Sequence, residues 1–363
     1  MRIKNIQLKN FRNYPELNLD VTNDMVVLSG PNAVGKTNLL ESVYFMSLFK
    51  SFRDDADYIF MKGQTATEVK MTIDKNGEEH EIEVYLEFRD KIYANFKIDG
   101  VKKKRKEAQN FVQVVIFDPT DVDLFTKTPE ARRKYLNMVL SQKSTDYLDW
   151  LSQYKRILFQ KNKLLQDIRA GKSNGEGLEE WNNQLVDIGS EIIFARRGFV
   201  NFLNQTISEV YTAISQFHRP VEVFYESIPG DTLEEVKQNF TEQLAEQASR
   251  ERMISSSLVG PHRDDFCLKS EGLLLPPFSS RGERRSQILA LKILELEFLS
   301  TDGDKPILLL DDVLSELDDT RRTFLLRYLY GKFQTLITST HPLEMAGQHV
   351  TLSPSTQDEE VAS

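Results

Sequence analysis

The chain has 363 residues and a formal net charge of −9, with 40% hydrophobic and 28% charged residues, the balance of a globular protein with two or three packed lobes. Its single cysteine, Cys267, excludes a disulfide framework and points to a reducing compartment, where a lone cysteine serves as a small core residue. No apolar run approaches the ~20 residues of a membrane helix and no signal-peptide core opens the chain, so a cytoplasmic protein is expected. The acidic balance argues against a chain that coats nucleic acid everywhere but leaves room for a local basic face.

Ile3, Ile6, Leu8 and Phe11 line an extended, half-buried segment that LNLDV at 17–21 continues. Residues 25–28 read as a short buried strand, and residues 38–49 as a helix with Leu39, Leu40, Val43, Phe45 and Met46 inward. From 67 to 98 the period becomes two, and VKMTI, EIEVYLEF and IYANFKI alternate with turn residues, the pattern of an antiparallel meander. Near Thr128 the period becomes helical, with Thr128 as N-cap and Pro129 at the first helical position. Two long helices, about 144–168 and 178–217, flank the flexible turn GKSNGEG and predict an antiparallel, coiled-coil-like hairpin. Another helix begins at Asp231, read as N-cap with Glu234 three residues on. After GPHRDD at 260–265 the pattern returns to strand, helix, strand, helix, and SPSTQDEEVAS at the end reads as frayed.

GPNAVGKT, Gly30 to Thr37, matches the phosphate-binding loop G-x-x-x-x-G-K-[ST] after a buried strand and at the start of a helix. Backbone N–H groups across Gly30, Pro31, Asn32, Ala33, Val34 and Gly35 would face phosphate oxygens, with the helix N-terminus adding positive potential. Lys36 would reach the β- and γ-phosphates of ATP, and Thr37 would ligate Mg²⁺. Such an enzyme needs a carboxylate at the end of a neighbouring parallel strand, and PILLLDD supplies Asp311 for Mg²⁺ and Asp312 to orient or deprotonate the attacking water. The densest basic run, VKKKRK, places Lys102, Lys103, Lys104, Arg105 and Lys106 beside a hairpin turn, where they would either meet DNA phosphates or solvate the turn. Arg132, Arg133 and Lys134 would contribute to DNA contact or simply cover one helix face, and Arg263 would contact DNA or pair with Asp264, Asp265 or a domain-interface carboxylate.

SRGE before a long helix, then ILLLDD, then SELD, resembles the signature helix, Walker B strand and D-loop of ATP-binding-cassette ATPases. GPNAVGKTN, with Asn38 after the threonine, resembles the heads of SMC-type chromosome proteins. Together with LKNFRNYPEL, PEARRKYLN and GPHRDDF, these stretches resemble, over nearly the full length and in order, the RecF family of recombination mediators. The implied fold is an α/β P-loop ATPase head of cassette/SMC type with an antiparallel β-meander, plus a helical lobe carrying the hairpin. The expected division is residues 1–126 and 259–363 for the head and 127–258 for the inserted lobe.

By resemblance the protein is a weak, DNA-dependent ATPase that dimerises with ATP sandwiched between heads on double-stranded or gap-junction DNA. The resemblance further implies that it would work at the nucleoid with RecO and RecR to help load RecA. Ser280, Arg281, Gly282 and Glu283 would form the signature, with Ser280 and the backbone at Gly282 meeting the γ-phosphate held by a second subunit. Phosphate or a carboxylate across the interface would compensate Arg281, and the bland alternative is a surface helix capped by serine. Ser315 and Asp318 fall in the D-loop, Thr340 and His341 compete as γ-phosphate sensor, and Gln113 is the Q-loop guess. Two departures stand out: Asp312 replaces the usual cassette glutamate, as in many RecF-like chains, and Glu283 stands where the signature has glutamine. The competing readings are a transporter-type nucleotide-binding domain, which the hairpin and FRNY start disfavour, and a scaffold with a vestigial site, which intact Gly35, Lys36, Thr37 and Asp311 disfavour. An OLD-type nuclease would need a further acidic domain, for which too few residues follow Asp312.

Overall fold

In the computed structural model, which describes residues 1–53, 59–215, 219–275, 279–301, 303–341, 343 and 346–353, the chain opens with the hairpin β1 (Arg2–Phe11) and β2 (Tyr14–Asp20). The buried strand β3 (Met25–Ser29) runs into the phosphate loop and helix α1 (Lys36–Leu48). Leu39 to Leu48 are buried all round, so α1 is enclosed rather than amphipathic, and Phe49 closes it in the left-handed conformation. The meander follows as β4 (Ala66–Lys75), β5 (Glu78–Phe88), β6 (Ile92–Ile98) and β7 (Val101–Lys103). A single turn α2 (Arg105–Ala108) leads to β8 (Val114–Phe117).

Next come α3 (Pro129–Lys143), α4 (Thr145–Arg169), α5 (Leu178–Ser215), β9 (Glu222–Glu226), α6 (Leu233–Ile254), β10 (Asp265–Ser270), β11 (Leu273–Leu274) and α7 (Arg281–Leu299). The chain closes with β12 (Ile307–Leu310), α8 (Val313–Glu316), α9 (Asp319–Leu329), β13 (Thr335–Ser339) and β14 (Gln348–Thr351). Residues 216–217 of the expected second long helix, and the expected frayed tail from 354 on, lie outside the described residues. No helix among the described residues is long and apolar enough to cross a membrane.

The chain divides into two compact units, Met1–Val122 with Arg285–Ser363, and Asp123–Arg284. The first division falls close to the expected 126/127. The second falls at 284/285 rather than 258/259, because Asp265–Ser270 does not return to the head. Instead β10 pairs antiparallel with β9 and β11 in a small sheet of the second unit. Its phase follows one buried face, Phe266 and Leu268, and alternation alone does not say which partner covers that face.

In the first unit the described strands form two sheets. One is antiparallel, in the order β2-β1-β4-β5-β6-β7, so the N-terminal segment joins the meander through β4. The other has the order β14-β3-β13-β12-β8 with all pairs parallel, and its Val, Ile and Leu runs are buried on both faces. The carboxyl ends of β3, β12 and β8 therefore lie along one edge, where open α/β sheets bind ligands.

In the second unit the expected two-helix hairpin is a three-helix packing, since α6 lies against both α4 and α5. Gly189 allows the approach: a Cβ there would come within 2.7 Å of the Phe240 ring. The cap of α6 is Thr232 rather than Asp231, with Glu235 closing the capping box, a shift of one residue set by which oxygen reaches the N3 amide.

A buried polar core surrounds GPHRDD. Arg196 donates to Asp264 Oδ2 (3.0 Å) and the Pro261 carbonyl (2.7 Å), Tyr225 donates to Asp264, and Lys161 pairs with Glu251 at 2.8 Å. Arg132 forks onto Asp265 (2.6 and 2.5 Å), Arg133 donates to the Asp264 carbonyl (2.7 Å), and Arg263 to the Ser257 carbonyl (2.8 Å). These arginines are spent on the unit's own fold, which the sequence left open against DNA contact. Lys134 is exposed. Cys267 is half-buried on β10.

Candidate active site

The phosphate loop alternates backbone hands, with Gly30, Ala33 and Gly35 at φ 153°, 65° and 109°, the kind of curl that turns successive N–H groups to one side. Lys36 is buried and folds back so that Nζ donates to the carbonyls of Gly30 and Pro31, both at 2.7 Å. Behind the loop sits the turn between β1 and β2. Asn13 Nδ2 donates to the Val34 carbonyl (3.1 Å), Tyr14 to the Gly35 carbonyl (3.0 Å), and Asn38 to Asn13 Oδ1 (2.7 Å). A Cβ on Gly35 would lie 2.6 Å from Asn13 Nδ2 and 2.8 Å from the Tyr14 hydroxyl, so glycine is needed for contact as well as for φ.

One turn into α1, fully buried Glu41 accepts a forked pair from Arg12 (2.9 and 2.5 Å) and further bonds from Ser51 (2.5 Å) and Arg53. Burial works against the Glu41 charge, yet these donors outweigh it and keep its carboxyl below the ordinary range. Arg53 also reaches Asn38 Oδ1 at 2.6 Å.

The two motifs meet at Asp311, which follows β12 and is buried. Its Oδ1 accepts from Thr37 Oγ1 and from Thr338 Oγ1, each at 2.8 Å. Burial pushes its carboxyl above the ordinary range, the two hydroxyls pull it back, and the nearby charge of Asp118 adds to the rise. Asp312 adopts the left-handed conformation at φ 53°, its N–H donates to Thr338 Oγ1 (2.8 Å), and Ser315 donates to its carbonyl (2.7 Å) and Oδ1 (3.2 Å). Asp318, the other residue expected in a D-loop, caps α9 by accepting from the Arg321 N–H at 2.9 Å.

Hydroxyl and carboxylate oxygens converge here, the donor set of a hard cation such as Mg²⁺, which keeps few protein ligands and completes its shell with phosphates and water. Among the described residues no group of three or more His, Cys, Asp or Glu could hold a metal by itself, so the site fits a metal brought with a phosphate ligand.

Thr338 escaped the sequence reading because nothing in TLITST distinguishes one threonine; only the parallel register of β13 with β12 brings it to Asp311. Thr340 and His341 follow β13 in a bend, where His341 N donates to Ser339 Oγ at 3.3 Å. Gln113 lies at the wrong end of β8 for a Q-loop. Its carbonyl accepts from Ile307 at the start of β12, whereas Leu310 pairs with Phe117 at the carboxyl edge. The residue that β8 delivers to the site is Asp118. Its turn is held by Asp121, whose Oδ2 accepts the Asp118 N–H (3.1 Å) and lies 3.4 Å from Lys292 Nζ on α7. Burial opposes the Lys292 charge, but Asp121, Glu295 and Asp118 outweigh it and hold the ammonium above its ordinary range.

At the start of α7, Ser280 Oγ accepts from Glu283 N (3.2 Å) and Glu283 Oε2 accepts from Ser280 N (2.8 Å), so Glu283 closes a capping box. The Ser280 hydroxyl keeps its own proton to donate. Arg284 pairs with Asp123 at 3.0 Å, and Arg285 pairs with Glu316 of the D-loop stretch, so carboxylates of this chain offset part of the positive charge at the helix start. In the basic run, Lys104 is the N-cap of α2 and Arg105 donates to the Phe49 carbonyl (2.9 Å), while Lys102 and Lys104 are exposed.

Residues 2–362 match the family model described as the RecF/RecN/SMC N terminal domain. The DNA replication and repair protein RecF of Agathobacter rectalis is 34% identical over 343 residues, covering 94% of this chain and 92% of that protein. The protein of the same name from Halalkalibacterium halodurans is 34% identical over 349 residues, with 94% and 93% covered. A solved structure of the recombination mediator protein RecF with ATP in the RecFOR pathway aligns with a TM-score of 0.89 at 30% identity, covering 97% of this chain and 95% of that one. An SMC head bound to the C-winged helix domain of ScpA aligns at 0.55 with 14% identity, a likeness of fold alone.

Proposed function

The chain belongs to the RecF family of DNA replication and repair proteins, and we propose that it is an ATP-driven switch that dimerises on double-stranded or gap-junction DNA and hydrolyses ATP slowly. The observation that carries the reading is the contact between Thr37 of the phosphate loop and Asp311 after β12, which unites the two halves of a P-loop ATPase site.

The loop N–H groups would cradle the phosphates, and Lys36 Nζ would exchange the Gly30 and Pro31 carbonyls for β- and γ-phosphate oxygens. Thr37 and Asp311, steadied by Thr338, would hold Mg²⁺. When bound, that ion neutralises phosphate charge and favours the ionised form of Asp311. Asp312, fixed by Ser315 and Thr338, would orient the attacking water, with Thr340 or His341 sensing the γ-phosphate. Its side chain is one methylene shorter than the usual glutamate, which supports slow turnover.

Ser280, Arg281 and Gly282 would meet the γ-phosphate held by a second copy, making ATP a dimerisation ligand. The lysines at 102, 103, 104 and 106 would meet DNA phosphates, with Arg105 anchoring the turn. RecO, RecR and RecA are the partners that family membership suggests, at the nucleoid in the cytoplasm.

The test is sedimentation and ATP turnover with and without duplex DNA. Monomers without nucleotide, dimers with ATP and DNA-stimulated turnover are expected. Lys36→Met should abolish function, and Ser280→Arg should keep ATP binding while losing dimerisation and turnover. A monomer–dimer balance indifferent to ATP would sink the switch.

A further inference from the structure

Helix α4 buries Tyr147, Tyr154, Ile157, Lys161 and Leu165 in its own unit. The opposite face carries Ser152, Lys155, Arg156, Phe159, Lys163 and Gln166, all exposed and spaced to form one stripe. Among the described residues no carboxylate stands within ion-pair distance of Lys155, Arg156 or Lys163, although Asp149 and Asp167 flank the stripe on the same helix. Elsewhere several half-buried lysines of this chain are paired. On the antiparallel sheet Lys70 meets Glu81 at 2.7 Å and Lys97 meets Glu83 at 2.5 Å, and in α4's own unit Lys237 meets Asp187 at 2.9 Å. Those cations have a carboxylate beside them, whereas Lys155, Arg156 and Lys163 sit together on one stripe without one at ion-pair distance among the described residues. Amid the cations Phe159 is 65% exposed, an apolar ring left largely open by the described residues.

We infer that this face of α4 is a contact surface for the phosphate backbone of duplex DNA, with Lys155, Arg156 and Lys163 neutralising phosphates and Phe159 packing against sugar edges between them. The chemistry is that of backbone positioning, which asks for unpaired cations on a rigid element and no sequence-reading side chains. From Ser152 to Gln166 the stripe runs about 21 Å, roughly six base-pair steps. The inference rests on the DNA-binding reading above and adds a second, independent surface to the basic turn at 102–106.

The experiment is fluorescence anisotropy of a labelled 30-bp duplex with the full chain and ATP, from 50 to 200 mM NaCl. Each phosphate contact contributes about 0.9 to the slope of log K against log salt, so Lys155→Ala/Arg156→Ala/Lys163→Ala should flatten the slope by up to about 2.7 and weaken binding more than tenfold at 50 mM. Phe159→Ala should weaken binding severalfold at every salt concentration with the slope unchanged. Lys70→Ala/Lys97→Ala, which removes paired cations, should leave the slope alone. All these positions are exposed or half-buried, and circular dichroism confirms that each variant is folded. An unchanged slope in the triple variant, with the parent binding normally, overturns the α4 surface and leaves the DNA reading standing. A parent that binds no duplex at any salt overturns both.

Discussion

Replacing Thr338 by valine keeps shape and removes one hydroxyl at the meeting point of the motifs. Thr338 is 1% exposed; its Oγ1 donates to Asp311 Oδ1 and accepts from the Asp312 N–H, both at 2.8 Å. Loss of the first bond removes a hydrogen bond to a carboxylate, about 1.5–3 kcal/mol, and loss of the second leaves a donor without its acceptor, about 1–3 kcal/mol. The two share one group and do not add fully, so a loss of about 3 kcal/mol is expected. At 2–4 °C per kcal/mol that lowers the Tm of the head by about 6–12 °C.

The pH dependence has a sign. Burial raises the Asp311 pKa, so its carboxylate is destabilised in the folded state at neutral pH, and the valine raises that pKa further. The deficit is therefore fullest above the folded pKa and shrinks as acid protonates Asp311. Urea unfolding at pH 7.5 and pH 5 measures both, with Thr338→Ser expected near the parent. A valine variant within about 1 kcal/mol of the parent at pH 7.5 would refute the assignment of Thr338 as the buried anchor of Asp311 and Asp312.

Two further outcomes follow from buried groups. His262 accepts from the Tyr154 hydroxyl at Nδ1 (2.7 Å) and donates from Nε2 to the Ser257 carbonyl (3.2 Å), and burial lowers its pKa to about 4. The unfolded chain takes up a proton near pH 6.5 that the folded chain refuses, so the His262 contribution falls as pH drops from 6.5 towards 4, by about 2 kcal/mol at pH 5. Unfolding free energies of the parent and His262→Gln at pH 7 and 5 should show the smaller acid loss in the variant; equal losses would exclude His262 as a source. Lys292→Met leaves Asp121 and Glu295 buried without their cation and should cost about 3–5 kcal/mol, with Glu295→Gln in the same chain recovering part of it, both read from denaturant midpoints.

Local chemistry made much of this protein legible. GPNAVGKT declares its loop because glycine and lysine at that spacing serve backbone curvature and phosphate charge, and ILLLDD declares a buried parallel strand ending in carboxylates. Period two exposed the meander, and helical spacing exposed α4 and α5. The residues that sequence reading missed lack such local marks. Thr338, Asp118 and Glu41 matter through neighbours 27, 193 and 29 residues away, respectively Asp311, Asp311 and Arg12. Gln113 looked like a polar residue near the site, and parallel register put it at the far edge of the sheet. Asp265–Ser270 alternates like any half-buried strand, and only pairing with β9 assigned it to the helical unit. The sequence left Arg132 open between DNA and a helix face, and Arg263 between DNA and a carboxylate; only the fold brings Asp265 to one and the Ser257 carbonyl to the other. Sequence thus determined the phosphate loop, the meander strands and the long helices, because those depend on backbone propensity and period within a few residues. Tertiary structure decided which charges are already neutralised and which hydroxyl steadies Asp311 from β13, because partners distant in sequence meet only through register and packing.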